Sequence, residues 1–250
     1  MNISAKDLRA MARTKLKGNY GTLIGAYLLY EIISSVINSI LGMIGGAGPI
    51  FRFQNNHFIL ADGKNSIISL IISVIVSLII SVLLLGFNKM YLDGSRGYNI
   101  KFDDLFYGFR HHPDRVILMQ LILTLVSFIC ILPASICGAL LYYTDLDSTP
   151  LIITVSILTV VGCIVLIFVS IGFSQAMFLL ADYDDIGPMQ ALKESLNIMN
   201  GHKRQYLLLN LSFIGYFLLT LMTCYIAFLW VYPYLMMTHA FFYRSITKEL

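Results

Sequence analysis

Leu151–Leu180 is a thirty-residue stretch without one Asp, Glu, Lys or Arg, and it is not alone in the chain. Comparable apolar runs cover Tyr20–Ile44, Ser66–Phe87 and Val116–Leu141, and a fifth extends from Tyr206 to Tyr243. About 20 consecutive apolar residues are what a helix needs to cross a ~30 Å hydrocarbon core. Water offers no stable fold to so many uninterrupted runs. The 12% charged and 58% hydrophobic composition agrees, since soluble domains carry about 25% charged residues. A soluble enzyme is thereby excluded, and a net charge of +3, widely dispersed, gives no footprint for nucleic acid.

The fifth run is about 38 residues long, and as one helix it would reach ~57 Å, nearly twice the hydrocarbon thickness. It reads instead as a hairpin of two short helices turning near Met222–Tyr225, with Pro233 placed to kink the second. The expected fold class is therefore an all-α membrane protein with six transmembrane helices, in a single polytopic domain over residues 1–250. Met1–Lys17 is too polar for a secretory signal, and the run that follows is too long for one.

Charge gives an independent reading of topology. Lys6, Arg9, Arg13, Lys15 and Lys17 precede the first span; Lys89, Arg96, Lys101, Arg110 and Arg115 follow the second. Lys193, Lys203 and Arg204 follow the fourth, and Arg244 and Lys248 end the chain. These segments hold 15 of the 17 basic residues, leaving Arg52 and Lys64 for the other side. By the positive-inside rule both termini are cytoplasmic in the cell membrane, and the number of spans is even.

The basic-side loops share a layout: an amphipathic segment, a glycine with basic neighbours, then a span. Leu8, Met11 and Leu16 form the first apolar face, with Ser4 and Asp7 spaced as a capping box. Phe102, Leu105, Phe106 and Phe109 form the second, and Met189, Leu192, Leu196 and Met199 the third, which Pro188 opens. Gly18, Gly108 and Gly201 stand 90 and 93 residues apart. The even spans also end alike, in Gly86-Phe87 to Met90-Tyr91-Leu92-Asp93 and Gly172-Phe173 to Met177-Phe178-Leu179, with Ala240-Phe241-Phe242-Tyr243 a weaker third. The pattern predicts a threefold internal repeat, near residues 1–93, 94–182 and 183–250, each unit an amphipathic interfacial helix plus a hairpin. Parallel repeats occur in some transporters, but duplication also builds stable bundles without transport. The interfacial helices suit an anionic membrane surface, or equally a docking partner.

Several of these motifs together resemble a known family. Ala191-Leu192-Lys193-Glu194-Ser195, Met199-Asn200-Gly201-His202-Lys203 and Leu211-Ser212-Phe213-Ile214-Gly215 carry most of the likeness. Pro233-Tyr234, Ala240-Phe241-Phe242-Tyr243 and Ala12-Arg13-x-x-Leu16-Lys17-Gly18-Asn19 extend it over essentially the whole chain. The pattern is similar to the bacterial integral-membrane family catalogued as domain of unknown function 975 (DUF975). More loosely, it is similar to the membrane domains attached to some glycerophosphodiester phosphodiesterases. The resemblance implies a multi-pass bacterial membrane protein and supplies no catalytic residues. Cys224-Tyr225 stands where a glycine-rich turn is expected.

Among intramembrane residues Glu31 is the sharpest candidate, because a carboxylate at bilayer depth costs at least ~2–3 kcal/mol unless it is paired, protonated or facing water. Ser34, Ser35 and Asn38 fall on its helical face, and Ser69, Ser73, Ser77 and Ser81 make a four-residue stripe on the second span. Two readings stay open, a helix seam in which serine hydroxyls satisfy Glu31 and a polar cavity for a substrate or proton. Lys15, Lys17, Arg110, His111, His202, Lys203 and Arg204 are candidate headgroup contacts at the interface. Asp182, Asp184 and Asp185 read as solvated loop carboxylates rather than a metal site, and the four cysteines, all in apolar runs without a C-x-x-C, as small hydrophobes. No P-loop, G-x-S-x-G or H-E-x-x-H occurs. The expected function is a non-enzymatic membrane module without cofactor or metal, binding membrane lipids, a peptide or another membrane protein. A small permease with a polar path around Glu31 is the alternative.

Overall fold

The computed structural model describes residues 3–45, 51–54, 57–60, 63–144 and 149–250; side chains are described for residues 3–40, 68, 70–138, 150 and 152–250. Arg52, Lys64 and Ser69 lie outside the described side chains, and residues 145–148 outside the described residues. Helix α1 (Ala5–Leu16) starts where the Ser4–Asp7 spacing places it: the Ser4 hydroxyl accepts from the Asp7 N–H at 3.3 Å and donates to its carboxylate at 2.6 Å. Helix α2 (Tyr20–Gly45) follows, then a short antiparallel hairpin of β1 (Phe51–Gln54) and β2 (His57–Leu60), and α3 (Gly63–Arg96). That hairpin is the one departure from an all-helical chain among the described residues.

A 3-10 helix (Phe102–Phe106) and α4 (Tyr107–Arg110) lead to α5 (Pro113–Thr144), α6 (Thr149–Phe173) and α7 (Ala176–Asp182). Helix α8 (Pro188–Met199) begins with Pro188 in its first turn, as the sequence predicts. The last apolar run is divided into α9 (Lys203–Leu211), α10 (Ile214–Met222) and α11 (Phe228–Ile246). The predicted turn lies between α10 and α11, where Cys224 and Tyr225 take the left-handed φ values 50° and 67° that glycine would adopt without cost. The Thr223 hydroxyl accepts from the Ala227 N–H at 3.1 Å and closes this turn.

Among the described residues, five segments are long and apolar enough to cross a membrane: Tyr20–Ile40, Leu70–Arg96, Pro113–Gly138, Ile152–Asp182 and Lys203–Met222. Helix α11 is different in character. It is 19 residues long, continues through Pro233, and buries Val231, Tyr234, Met237, Thr238, Ala240, Phe241, Phe242 and Tyr243 in protein.

Burial is concentrated at one end of the molecule. Along α5 and α6 large apolar side chains such as Ile129 (70% exposed) and Phe168 (63%) face outward. An apolar surface of that extent belongs in lipid rather than water. The opposite pattern holds where α3, α7 and α11 come together: Met90, Tyr91 and Leu92, then Phe178, Leu179 and Leu180, then Phe241, Phe242 and Tyr243 are all buried in one core. These are the three similar span ends noted above, now packed on one another. Phe178 stacks on Tyr243 at 5.5 Å, and Tyr27, Phe87 and Tyr232 join α2, α3 and α11, with Tyr27–Tyr232 at 4.5 Å.

The amphipathic segments are seated in this core and do not lie flat on its outside. Leu8, Ala12 and Leu16 of α1 are fully buried, and α1 packs along α11. The 3-10 helix presses on α3 so closely that a Cβ at Gly86 would sit 2.0 Å from the Leu105 carbonyl oxygen; one at Gly108 would be 2.4 Å from that of Val82. On α8, buried Ser195 donates to the Gly172 carbonyl at 2.8 Å and accepts from the Gln175 N–H at 3.3 Å, bridging the break between α6 and α7. The second segment's expected apolar face is split: Leu105 is buried, while Phe102, Phe106 and Phe109 are exposed.

One alignment is corrected. Gly18 and Gly201 do share a role, each left-handed (φ 89° and 84°) just past a helix. Gly108 instead lies inside α4 at a close backbone approach, and the left-handed residue between α4 and α5 is His112, at φ 50°.

Candidate functional site

The polar residues expected to act together inside the bundle divide into two groups. Glu31 is exposed on α2, one turn from Tyr27; Ser35 is exposed beside it, and the half-buried Ser34 hydroxyl has no hydrogen-bond partner. The Asn38 amide donates to the Ser34 carbonyl at 2.8 Å. Asn38, Ser73 and Ser77 do converge, with Ser81 and Gln120, around a groove of about 350 Å³ between α2, α3 and α5. A neighbouring groove of about 310 Å³ continues past Ser73, Ser77 and Gln120 to Thr124 and Ser127. Glu31 lines neither groove.

Hydroxyls of the α3 stripe donate to their own helix: Ser73 to Leu70 at 2.8 Å, Ser77 to Val74 at 2.8 Å and Ser81 to Leu78 at 2.7 Å. Thr124 and Ser127 do the same on α5. Such back-bonding meets each donor locally and leaves the oxygen lone pairs toward the groove. These serines therefore do not reach Glu31. Gln120, contributed by α5, lines both grooves together with Ser73 and Ser77.

At the buried end lies a cluster that sequence reasoning missed. Arg96, the last residue of α3, forms two hydrogen bonds to Asp182 at 2.6 and 2.9 Å and two more to Glu249 at 2.6 and 3.0 Å. The Tyr243 hydroxyl donates to Asp182 at 2.9 Å, Arg244 donates to Glu249 at 3.2 Å, and Arg244 also reaches the Ser95 carbonyl at 2.6 Å. Asp182 is thus corrected from a solvated loop carboxylate to a bidentate partner whose side chain is 9% exposed. For Glu249, burial pushes the pKa up, but the Arg96 hydrogen bond and charge, with Arg244, outweigh it and hold the carboxyl below its ordinary value. The signal in the sequence was only that Asp182 ends a span as Asp93 nearly does; its partner is 86 residues away.

Beside this cluster a groove of about 600 Å³ is lined by Tyr183, Asp185, Glu194, Ile198 and Lys248 among others. Asp184 accepts from the Tyr107 hydroxyl at 2.5 Å, and Arg115 donates to the Ile186 carbonyl at 3.1 Å. Burial first, then this bond to Asp184, raises the Tyr107 pKa.

The predicted interfacial contacts Lys15, Lys17, Arg110, His111, Lys203 and Arg204 are exposed, and His202 is half-buried. Arg110 is occupied by Asp103, bidentate at 2.5 and 2.6 Å, and that hydrogen bond holds the Asp103 carboxyl low. His111 stacks on Tyr107 at 4.2 Å, and Arg204 lines a shallow cavity between α1 and α9. Among the described residues no three His, Cys, Asp or Glu side chains converge as a metal ion requires.

A family model described as "Protein of unknown function (DUF975)" matches residues 1–250, the whole chain. No curated protein and no solved structure matches it.

Proposed function

The chain belongs to the DUF975 family, and from that premise we propose that it is a non-enzymatic bacterial inner-membrane module that binds a ligand laterally, from the bilayer or along its edge. The observation that carries this reading is the distribution of packing. The buried end, where α3, α7 and α11 converge, is filled by Tyr91, Phe178, Phe242 and Tyr243 and closed by the Arg96–Asp182 pair. The polar grooves lie at the side, between α2, α3 and α5. A ligand that never crosses the bilayer needs only such lateral grooves.

In this reading six helices span the membrane, with α9–α10 and α11 forming the last and shortest pair, and both termini are cytoplasmic. Three internal repeats are supported by how the amphipathic segments pair. The 3-10 helix and α4 pack on α3, α8 packs on α6 and α7, and α1 packs on α11, which closes the cycle. The ligand is a lipid, a peptide or a partner membrane protein.

A permease is the second reading, favoured by the groove around Gln120 rather than by Glu31. The test is thiol accessibility in a variant whose four cysteines are replaced, with Gln120→Cys and Glu31→Cys made singly. Lateral binding predicts that a membrane-impermeant maleimide spares position 120 from both sides, while a lipid-soluble maleimide labels it. Labelling of position 120 by the impermeant reagent from both sides would establish a water path and overturn the proposal.

A further inference from the structure

Helices α1, α2, α10 and α11 enclose a cleft of about 400 Å³ distinct from the grooves above, with two chemically different halves. One half is Arg13, Tyr20, Tyr216 and Tyr234; the other is Leu219, Ala227, Trp230 and Val231. The Arg13 guanidinium donates to the Tyr216 hydroxyl at 2.8 Å and lies 5.3 Å over the Tyr234 ring. Among the described residues no carboxylate lines the cleft, so none of them neutralises its cation. Tyr234 is 5% exposed; the Arg13 guanidinium, a donor only, stands beside its hydroxyl, and no acceptor takes the hydroxyl proton. A buried hydroxyl left unpaired costs ~1–3 kcal/mol, an expense that a bound acceptor would remove. The 26-residue helix α2 also opens at Tyr20, presenting the positive end of its dipole.

We propose that this cleft seats the phosphate of an anionic phospholipid. The phosphate oxygens accept from Arg13 and from the Tyr234 hydroxyl, while an acyl chain runs along Leu219, Val231 and Trp230. A free phosphate would use only the polar half; the adjoining apolar wall fits a ligand with both parts. Tyrosine and tryptophan are the residues that settle at headgroup depth, and basic pockets between spans suit anionic lipids. Arginine matches phosphate with a planar fork, which lysine lacks. The proposal rests on the reading of the chain as a membrane module and gives it a second lateral site, with a stated ligand class.

Trp230 is the single tryptophan of the chain and is half exposed in this cleft, so it reports on it directly. Full-length protein in a neutral maltoside detergent is titrated with phosphatidylglycerol, and separately phosphatidylcholine, each carrying brominated acyl chains that quench indole fluorescence. Half-quenching is expected at a tenfold or lower mole fraction of phosphatidylglycerol than of phosphatidylcholine. Arg13→Gln should abolish that preference and keep the maximal quenching. Tyr234→Phe, which keeps the ring packing, should reduce it severalfold. Glycerol phosphate at millimolar concentration should not displace the lipid. Equal quenching by the two lipids, or a preference that survives both substitutions, overturns the headgroup site while leaving the membrane module standing. Absence of quenching by either lipid would remove the α10–α11 hairpin from the bilayer and overturn the headgroup site, while the grooves between α2, α3 and α5 would still be tested by the Gln120→Cys labelling.

Discussion

Gly86→Ala tests the seating of the amphipathic segments more sharply than any other single substitution. The added Cβ would lie 2.0 Å from the Leu105 carbonyl oxygen, 2.5 Å from its carbon and 2.8 Å from the Asp104 oxygen. All three are main-chain atoms of the 3-10 helix, so no side-chain rotation relieves the overlap. Ordinary contact begins near 3.4 Å, and the segment must therefore retreat by about 1.4 Å. Overpacking of this kind costs about 1–3 kcal/mol, and a displaced backbone belongs at the upper end. A loss of ~3 kcal/mol lowers the folded-to-unfolded ratio more than a hundredfold and the transition temperature by about 6–12 °C in a chain of this size. The assay is the fraction of purified protein that stays monodisperse in detergent after heating. Gly138→Ala is the control. That glycine lies within α5, and a Cβ there meets nothing within 4 Å, so alanine should gain about 0.5–1 kcal/mol. Gly108→Ala attacks the same contact from its other side, where Val82 oxygen would be 2.4 Å away. The two losses should fall short of additive, since either one already pries the segment off α3. A Gly86→Ala protein at or above the wild-type temperature would refute this packing.

Two further outcomes follow from polar contacts. Ser195→Ala strips the Gly172 carbonyl and the Gln175 N–H of a buried partner, and should cost about 1–3 kcal/mol, read in the same heating assay; Ser195→Thr, retaining the hydroxyl, separates this loss from a change of volume. For Glu249, the folded pKa is depressed below the ordinary 4.5, so its contribution is fully present above that value and fades as pH falls through the lower folded pKa. Transition temperatures measured from pH 7 to pH 3 should therefore decline more steeply in the wild type than in Glu249→Gln below about pH 4.5, and parallel curves would discard the role assigned to Glu249.

Much of this protein was determined by its sequence alone because the relevant forces are local or periodic. Lengths of apolar runs set where helices lie, since the bilayer dictates how much chain must be apolar. Ser4 and Asp7 cap α1, and Pro188 starts α8, through contacts between near neighbours in the chain. The turn near Met222–Tyr225 was legible because no 38-residue helix suits one bilayer, although left-handed Cys224 and Tyr225 had to supply what glycine usually does. The similar endings of the even spans were visible as text; that they form one buried core was not.

The tertiary structure decided what depends on which helix meets which. Glu31 and the serine stripe both lie in apolar runs, yet α2 leaves Glu31 exposed while the stripe bonds to its own carbonyls. Hydrophobic periodicity locates a face but does not choose its neighbour. Asp182, in a cluster of three acids, looked solvated until Arg96, 86 residues away, was brought within 2.6 Å. Charge is repelled by an apolar core unless it is paired there, and only the docking of α3, α7 and α11 supplies the pair. Arg13 likewise belonged to a basic N-terminus in the sequence. It became one wall of a cleft once α1 buried Leu8, Ala12 and Leu16 against α11 and aligned the guanidinium with Tyr216 and Tyr234.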